Sequence, residues 1–176
     1  CAAYLRHEIW PFIGSMLIRK ELLEKEKLLF LERCISAEDI HFVARVLFSS
    51  SRIASVDRVL VHHLERPRSL VSHSALASRR PGDAYGAYKS LYRFLEDRGA
   101  SPVLLQHLER QQIANALSNI LSMFVLTERE GSFYELLEHP ETRRILQSSL
   151  SRIFKKPKIA FGPLNFFGIQ GFVRYY

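Results

Sequence analysis

Cysteine is scarce in this sequence: Cys1 and Cys34 are its only two, and neither stands in a Cys-x-x-Cys or mixed Cys/His spacing. That excludes a disulfide framework and a zinc-finger-like centre, and leads us to expect a reducing compartment, the cytoplasm. Long hydrophobic runs are missing too. Charged or polar residues interrupt every apolar stretch before the ~18 residues that span a bilayer, so no transmembrane helix is expected. The chain opens "CAAYLRHEIWPF", with no initiator Met and no basic-then-apolar leader, which reads as a piece of a longer protein without a signal peptide. No internal repeat, low-complexity linker, RNP motif or Gly-rich backbone clamp is present, which removes solenoids and the common RNA-binding modules from consideration.

What is present is apolar and basic. Hydrophobic residues make up 47% of the chain, enough for a core. The net charge of +7 favours anionic partners: nucleic acid, acidic lipid, or the phosphates of a nucleotide or lipid diphosphate. A basic surface with no partner satisfies the same number. Arg143, Arg144, Arg152, Lys155, Lys156 and Lys158 cluster late, but elsewhere basic residues are interspersed with acidic ones, so nucleic acid is the least favoured partner.

Along the chain, Trp10 to Ile18 is short, apolar and bounded by charge, which predicts a buried strand or the approach to one. "RKELLEKEKLLF" then turns helical, with Leu22, Leu23, Leu28, Leu29 and Phe30 apolar. Ser36 is expected to cap a helix whose capping-box position is Asp39, and Ile40, Val43, Ala44 and Leu47 repeat at the spacing of one buried face. Ser49 to Ser51 end it. Ile53, Val56, Val59 and Val61 are β-branched and mixed with polar positions, predicting one or two short strands, and "ERPRSLVSH" follows as a basic loop kept irregular by Pro67.

From Pro81 the pattern becomes helical over 83–97, 102–128, 133–138 and 141–154, with Ser101 and Pro102 as N-cap and first-turn proline and Gly99 and Gly131 as stops. We therefore divide the chain into 1–80 and a helical region over 81–176, at a composition shift between Arg79 and Gly82. The end of the chain combines lysines with Phe161, Phe166, Phe167, Phe172, Tyr175 and Tyr176. That mixture suits an anionic membrane interface, although its glycines and prolines prevent a long amphipathic helix and slightly favour packing on the body.

The residues best suited to chemistry are Glu38 and Asp39. At a helix N-terminus the free N–H groups and the macrodipole favour a carboxylate anion, which can accept a proton from a substrate hydroxyl. Acidic residues in a first turn are also ordinary capping devices. The two side chains project about 100° apart around the helix, so they do not form one dyad.

Their surroundings raise the chemical possibility. "FIGSMLIRKELLEKEKLLF", then "AEDIHF" with Phe42 three residues after the acidic Asp39, then "RIASVDRVLV", then Arg66-Pro67-Arg68-Ser69 as Arg-x-x-Ser, together resemble the C-terminal half of the catalytic domain of family 2 glycosyltransferases. The resemblance covers about Trp10 to His73. It implies a truncated α/β, GT-A-like fold lacking its nucleotide-binding half, dominated by helix in this chain and with a few short strands. It further implies inverting transfer of a sugar from a nucleoside-diphosphate-sugar to a saccharide or lipid-linked acceptor, in cell-surface polysaccharide or glycolipid synthesis at the cytoplasmic membrane face. Asp39 would be the base and Glu38 its support, while Arg66, Arg68 and Ser69 would meet the diphosphate, for which guanidinium geometry is suited.

The sequence departs from that family at His62 and His63, where relatives carry tyrosines, and adjacent strand positions face opposite ways, so the two cannot easily share one metal. No Asp-x-Asp occurs, so the family's divalent cation, Mg or Mn, would take its ligands outside this chain. The competing expectation is a non-enzymatic basic helical module that binds an acidic protein, lipid or nucleic acid.

Overall fold

The computed structural model describes residues 1–62, 81–126 and 130–153. Among them every regular element is helical. A short α1 (Ala2–Leu5) and a 3-10 turn (Ile13–Ser15) lead to α2 (Lys20–Lys25) and α3 (Glu38–Ser49). After residue 80 come α4 (Pro81–Asp97), α5 (Pro102–Leu108), a π-turn (Glu109–Ile113), α6 (Ala114–Leu126), α7 (Glu130–Glu138) and α8 (Pro140–Ile153).

The α/β, GT-A-like architecture is therefore corrected: the described residues contain helices and no sheet. The physical reason lies in the backbone. A strand is stable only when a neighbour takes its N–H and C=O groups into a ladder, and neither expected strand has such a neighbour among the described residues. Instead of extending, Trp10 to Ile18 tightens at its middle, where Ser15 donates both its N–H (2.9 Å) and its hydroxyl (2.7 Å) to the Phe12 carbonyl. In the second segment, Ile53, Val56, Val59 and Val61 all remain exposed to solvent.

The helical expectations after residue 81 meet the structure closely. Ser101 caps α5 by accepting the Leu104 N–H at 3.3 Å, with Pro102 in the first turn. The single expected helix over 102–128 is interrupted by the π-turn, and Gly131 lies inside α7 instead of stopping a helix.

One core joins both sides of residue 80. Val43, Ala44 and Leu47 of α3, Leu91 and Leu95 of α4, Ile113 and Leu117 from the π-turn and α6, and Ile145 of α8 are buried in this core, with α3 packed on α4 and α4 on the π-turn and α6. Each fully buried aliphatic side chain contributes roughly 1.5–3 kcal/mol. α1 is drawn in by polar contacts as well: the Leu5 carbonyl at its C-terminal end accepts from Gln112 Nε2 (3.4 Å) and lies 3.3 Å from His107 Nε2. Those side chains serve a carbonyl that the helix end leaves unpaired.

Charged side chains bind the helices together at the rim. Arg144 makes a two-pronged pair with Glu109 (2.8 and 2.7 Å), and Lys89 pairs with Glu141. Phe94 lies between two guanidinium groups, Arg98 at 3.8 Å and Arg45 at 4.7 Å from its ring centre. Arg45 also donates to the Leu29 and Lys27 carbonyls, which ties the turn after α2 to α3.

Candidate functional site

The acidic pair opens α3, but not through the expected cap. Ser36 lies one residue too early: the Cys34 thiol donates to its carbonyl (3.2 Å) and the Ile35 N–H donates to the Asp83 carboxylate (3.0 Å), drawing residues 34–36 toward the start of α4. Ala37 takes the N-cap place with φ 65°, left-handed and without a side-chain cap. That conformation costs an L-residue roughly 1–2 kcal/mol. Asp39 compensates in part, its Oδ1 accepting the Ile40 N–H at 2.7 Å.

From this entry the two carboxylates diverge. Asp39 is exposed, and its negative charge falls on two tyrosines. Burial, then Asp39, pushes the Tyr88 hydroxyl up to about 12, and the same two causes in the same order raise Tyr4. Both phenols therefore stay protonated across neutral pH, available as hydrogen-bond donors. Glu38 is half-buried, and its charge acts on Cys34, whose thiol is raised mainly by burial.

Beside the start of α3 is a shallow cavity of about 240 Å³. The start of α3 forms one wall through Ser36, Ala37 and Ile40, and α4 forms another through Ala84 and Tyr88. The third wall is polar: Gln112 from the π-turn and Asn115 and Asn119 from α6. Gln112 is anchored, its Nε2 lying 2.8 Å from His7 Nε2, and His7 in turn stacks on Trp10 with ring centres 5.1 Å apart. Trp10 also packs on Tyr4 at 5.5 Å, and 56% of its surface is exposed. The start of α3, α4 and an amide wall thus surround one concave surface.

Of the residues singled out from sequence, Asp39 and Glu38 are placed by this geometry, and Phe42 is buried against Phe30 with ring centres 4.1 Å apart. Arg66, Arg68 and Ser69 lie outside the described residues, as does His63; His62 is exposed. Sequence reasoning missed the amide wall. Its signal was legible afterwards in "QQIANALSNIL", where Gln112, Asn115 and Asn119 recur at helical spacing inside an otherwise apolar helix.

His41, also unanticipated, is buried on the inner face of α3, with Nε2 3.2 Å from Ser90 Oγ and Nδ1 without a hydrogen-bond partner among the described residues. Burial, and then the positive charge of Arg45, lowers it to about 4. It is neutral at pH 7 and packs as a core residue.

No cluster of three His, Cys, Asp or Glu side chains suited to a metal ion occurs among the described residues. The divalent cation that the resemblance implies would take its ligands outside this chain. No described helix is long and apolar enough to cross a membrane. Set beside known proteins, the chain matches no family model, no curated protein and no solved structure.

Proposed function

We propose that this chain carries the acceptor-activating part of an inverting glycosyltransferase, one that moves a sugar from a nucleoside-diphosphate-sugar to an acceptor hydroxyl in cell-surface polysaccharide or glycolipid synthesis. The observation that carries the proposal is Asp39, an exposed carboxylate at the first turn of α3, where Ala37 and Ile40 on either side of it line a concave polar surface. Two supports meet there: solvent exposure gives an acceptor access, and the order of motifs around it resembles family 2 glycosyltransferases.

In the proposed step the Asp39 carboxylate takes the proton of the acceptor hydroxyl as its oxygen attacks the anomeric carbon. The bond from that carbon to the diphosphate oxygen breaks on the opposite face, so configuration inverts. The nucleoside diphosphate leaves, and Asp39 returns its proton to water. Arg66, Arg68 and Ser69 are assigned to the departing diphosphate on the resemblance alone. The cation would be held outside this chain, and no part of this step runs through it. The cytoplasmic membrane face is the corresponding location.

The test is release of nucleoside diphosphate and inversion at the anomeric carbon, measured in the full-length protein with a panel of nucleoside-diphosphate-sugars. Asp39→Asn is expected to lower transfer at least ~100-fold with the thermal transition unchanged, the scale of a lost general base. Full activity of Asp39→Asn would remove the proposal.

A non-enzymatic interaction module is the second reading, favoured by the exposed apolar residues Ile53, Val56, Val59, Leu60 and Val61. It expects Asp39→Asn to be silent and substitutions in residues 53–61 to abolish partner binding.

A further inference from the structure

We propose that the cavity walled by Gln112, Asn115 and Asn119 is a subsite for one uncharged sugar residue of the acceptor; this rests on the transferase reading for the ligand's role and on the cavity alone for its chemistry. The lining contains hydroxyl, amide and small apolar groups and no ionisable acid or base other than the Tyr88 phenol, which stays protonated at neutral pH. A charged ligand would enter without a counter-charge, which is costly on removal from water. The Asp39 carboxylate, one residue from the lining Ile40, adds repulsion against uronic acids and phosphorylated sugars.

A neutral sugar presents the complementary surface: hydroxyls that both donate and accept, and an apolar C–H face. Asn115 and Asn119 meet the first requirement. They are four residues apart on one face of α6, exposed, and without a hydrogen bond to any described residue, so each amide offers two donors and an acceptor. Ile40 and Ala84 meet the second from the opposite walls. The volume of about 240 Å³ lies below the range for drug-sized ligands and suits a single ring.

The π-turn sharpens the assignment. An i→i+5 segment inserts roughly one residue into the helical repeat and so rotates the next helix, α6, by about 100° relative to an uninterrupted α-helix. Here the turn holds Gln112 inward on Leu5 and His7 and precedes the two asparagines that line the cavity. Such turns weaken a helix and concentrate where ligands bind.

The experiment is saturation-transfer NMR on the full chain with methyl hexosides, a methyl hexuronide and inorganic phosphate as probes. Neutral hexosides are expected to bind; the hexuronide is expected to bind at least 10-fold more weakly and phosphate not at all. Asn115→Ala with Asn119→Ala, which keeps helix propensity and alters exposed positions, is expected to lose at least 10-fold in hexoside affinity. Ala84→Phe, filling the cavity from α4, is a second route to the same loss. No hexoside binding, tighter binding of hexuronide, or hexoside binding untouched by either variant would overturn the subsite. If hexosides bind through Asn115 and Asn119 while no sugar is transferred, the transferase reading fails and the subsite stands; if transfer depends on Asp39 but no hexoside binds, the subsite alone fails.

Discussion

Residues 1–62 and 81–153 solve the same backbone problem with different materials. α1, α2 and α4 end in the same way: the N–H groups of the two residues after the C-cap turn back to carbonyls of the last turn. Glu8 and His7 donate to Ala3 and Tyr4, Leu28 and Lys27 to Leu23 and Glu24, and Ala100 and Gly99 to Leu95 and Glu96. This cap needs a left-handed residue. The second region uses Gly99 (φ 72°), where no side chain objects; the first uses His7 (φ 60°) and Lys27 (φ 50°), and adds Arg33 (φ 57°) and Ala37 (φ 65°) in its loops.

Exposure divides the regions in the same direction. Among the described residues, Trp10, Leu17, Leu29, Ile53, Val59 and other large apolar side chains of the first region face solvent, whereas Val103 and Tyr134 are the counterparts in the second. The strained, apolar-surfaced region carries Asp39; the regular one supplies the amide wall, and both share the core. Local strain concentrates where function requires a particular geometry, and a rigid helical partner is what holds it.

The contrast is broken most forcefully in the core. Leu117→Ala, at a fully buried position, is expected to cost roughly 2–5 kcal/mol in chemical denaturation, whereas Leu29→Ala, 74% exposed, should remain within about 0.5 kcal/mol of the parent. Equal costs would mean that the exposed surface of the first region is buried in solution.

Acid tests the contact between the regions at His41, which packs against α4. Its folded pKa is depressed to about 4 from 6.5, so the unfolded chain takes up a proton first as pH falls. Stability is thus fully present above about pH 6.5, declines by up to about 3 kcal/mol between pH 6.5 and 4, and this contribution levels off below that. Denaturation of the parent and His41→Gln across this range should differ in slope. Parallel curves would show that His41 is not buried neutral.

Smaller effects separate the caps. Gly99→Ala should cost about 1 kcal/mol, because Ala is strained where φ is positive, and Lys27→Gly should raise stability by a few tenths to about 1 kcal/mol for the converse reason. Thermal melts read both. If Lys27→Gly destabilises, the aliphatic stem of Lys27 contributes more than its backbone strain costs.

Much of the helical half was legible because its signals are local. Ser101, Pro102 and Gly99 mark helix ends within a few residues, and Ile40, Val43, Ala44 and Leu47 display their period in the sequence itself. The strands were misjudged because β-branched residues such as Ile53 and Val59 report a preference that needs a partner strand to be realised. The capping of α3 was misjudged for a related reason: Ser36 had the right chemistry, but Cys34 and Ile35 are held by Asp83, nearly fifty residues away.

By itself, then, the sequence determined that α2, α3 and most of the chain after residue 81 become helical, which face of α3 is buried, and that Glu38 and Asp39 project in different directions, since periodicity and handedness act over three or four residues. Tertiary structure alone decided that the start of α3 lines a cavity and that its far wall is Asn115 and Asn119. That site joins the start of α3 to α4 and α6, and only the packing of a shared core brings groups so distant in the chain within reach of one ligand.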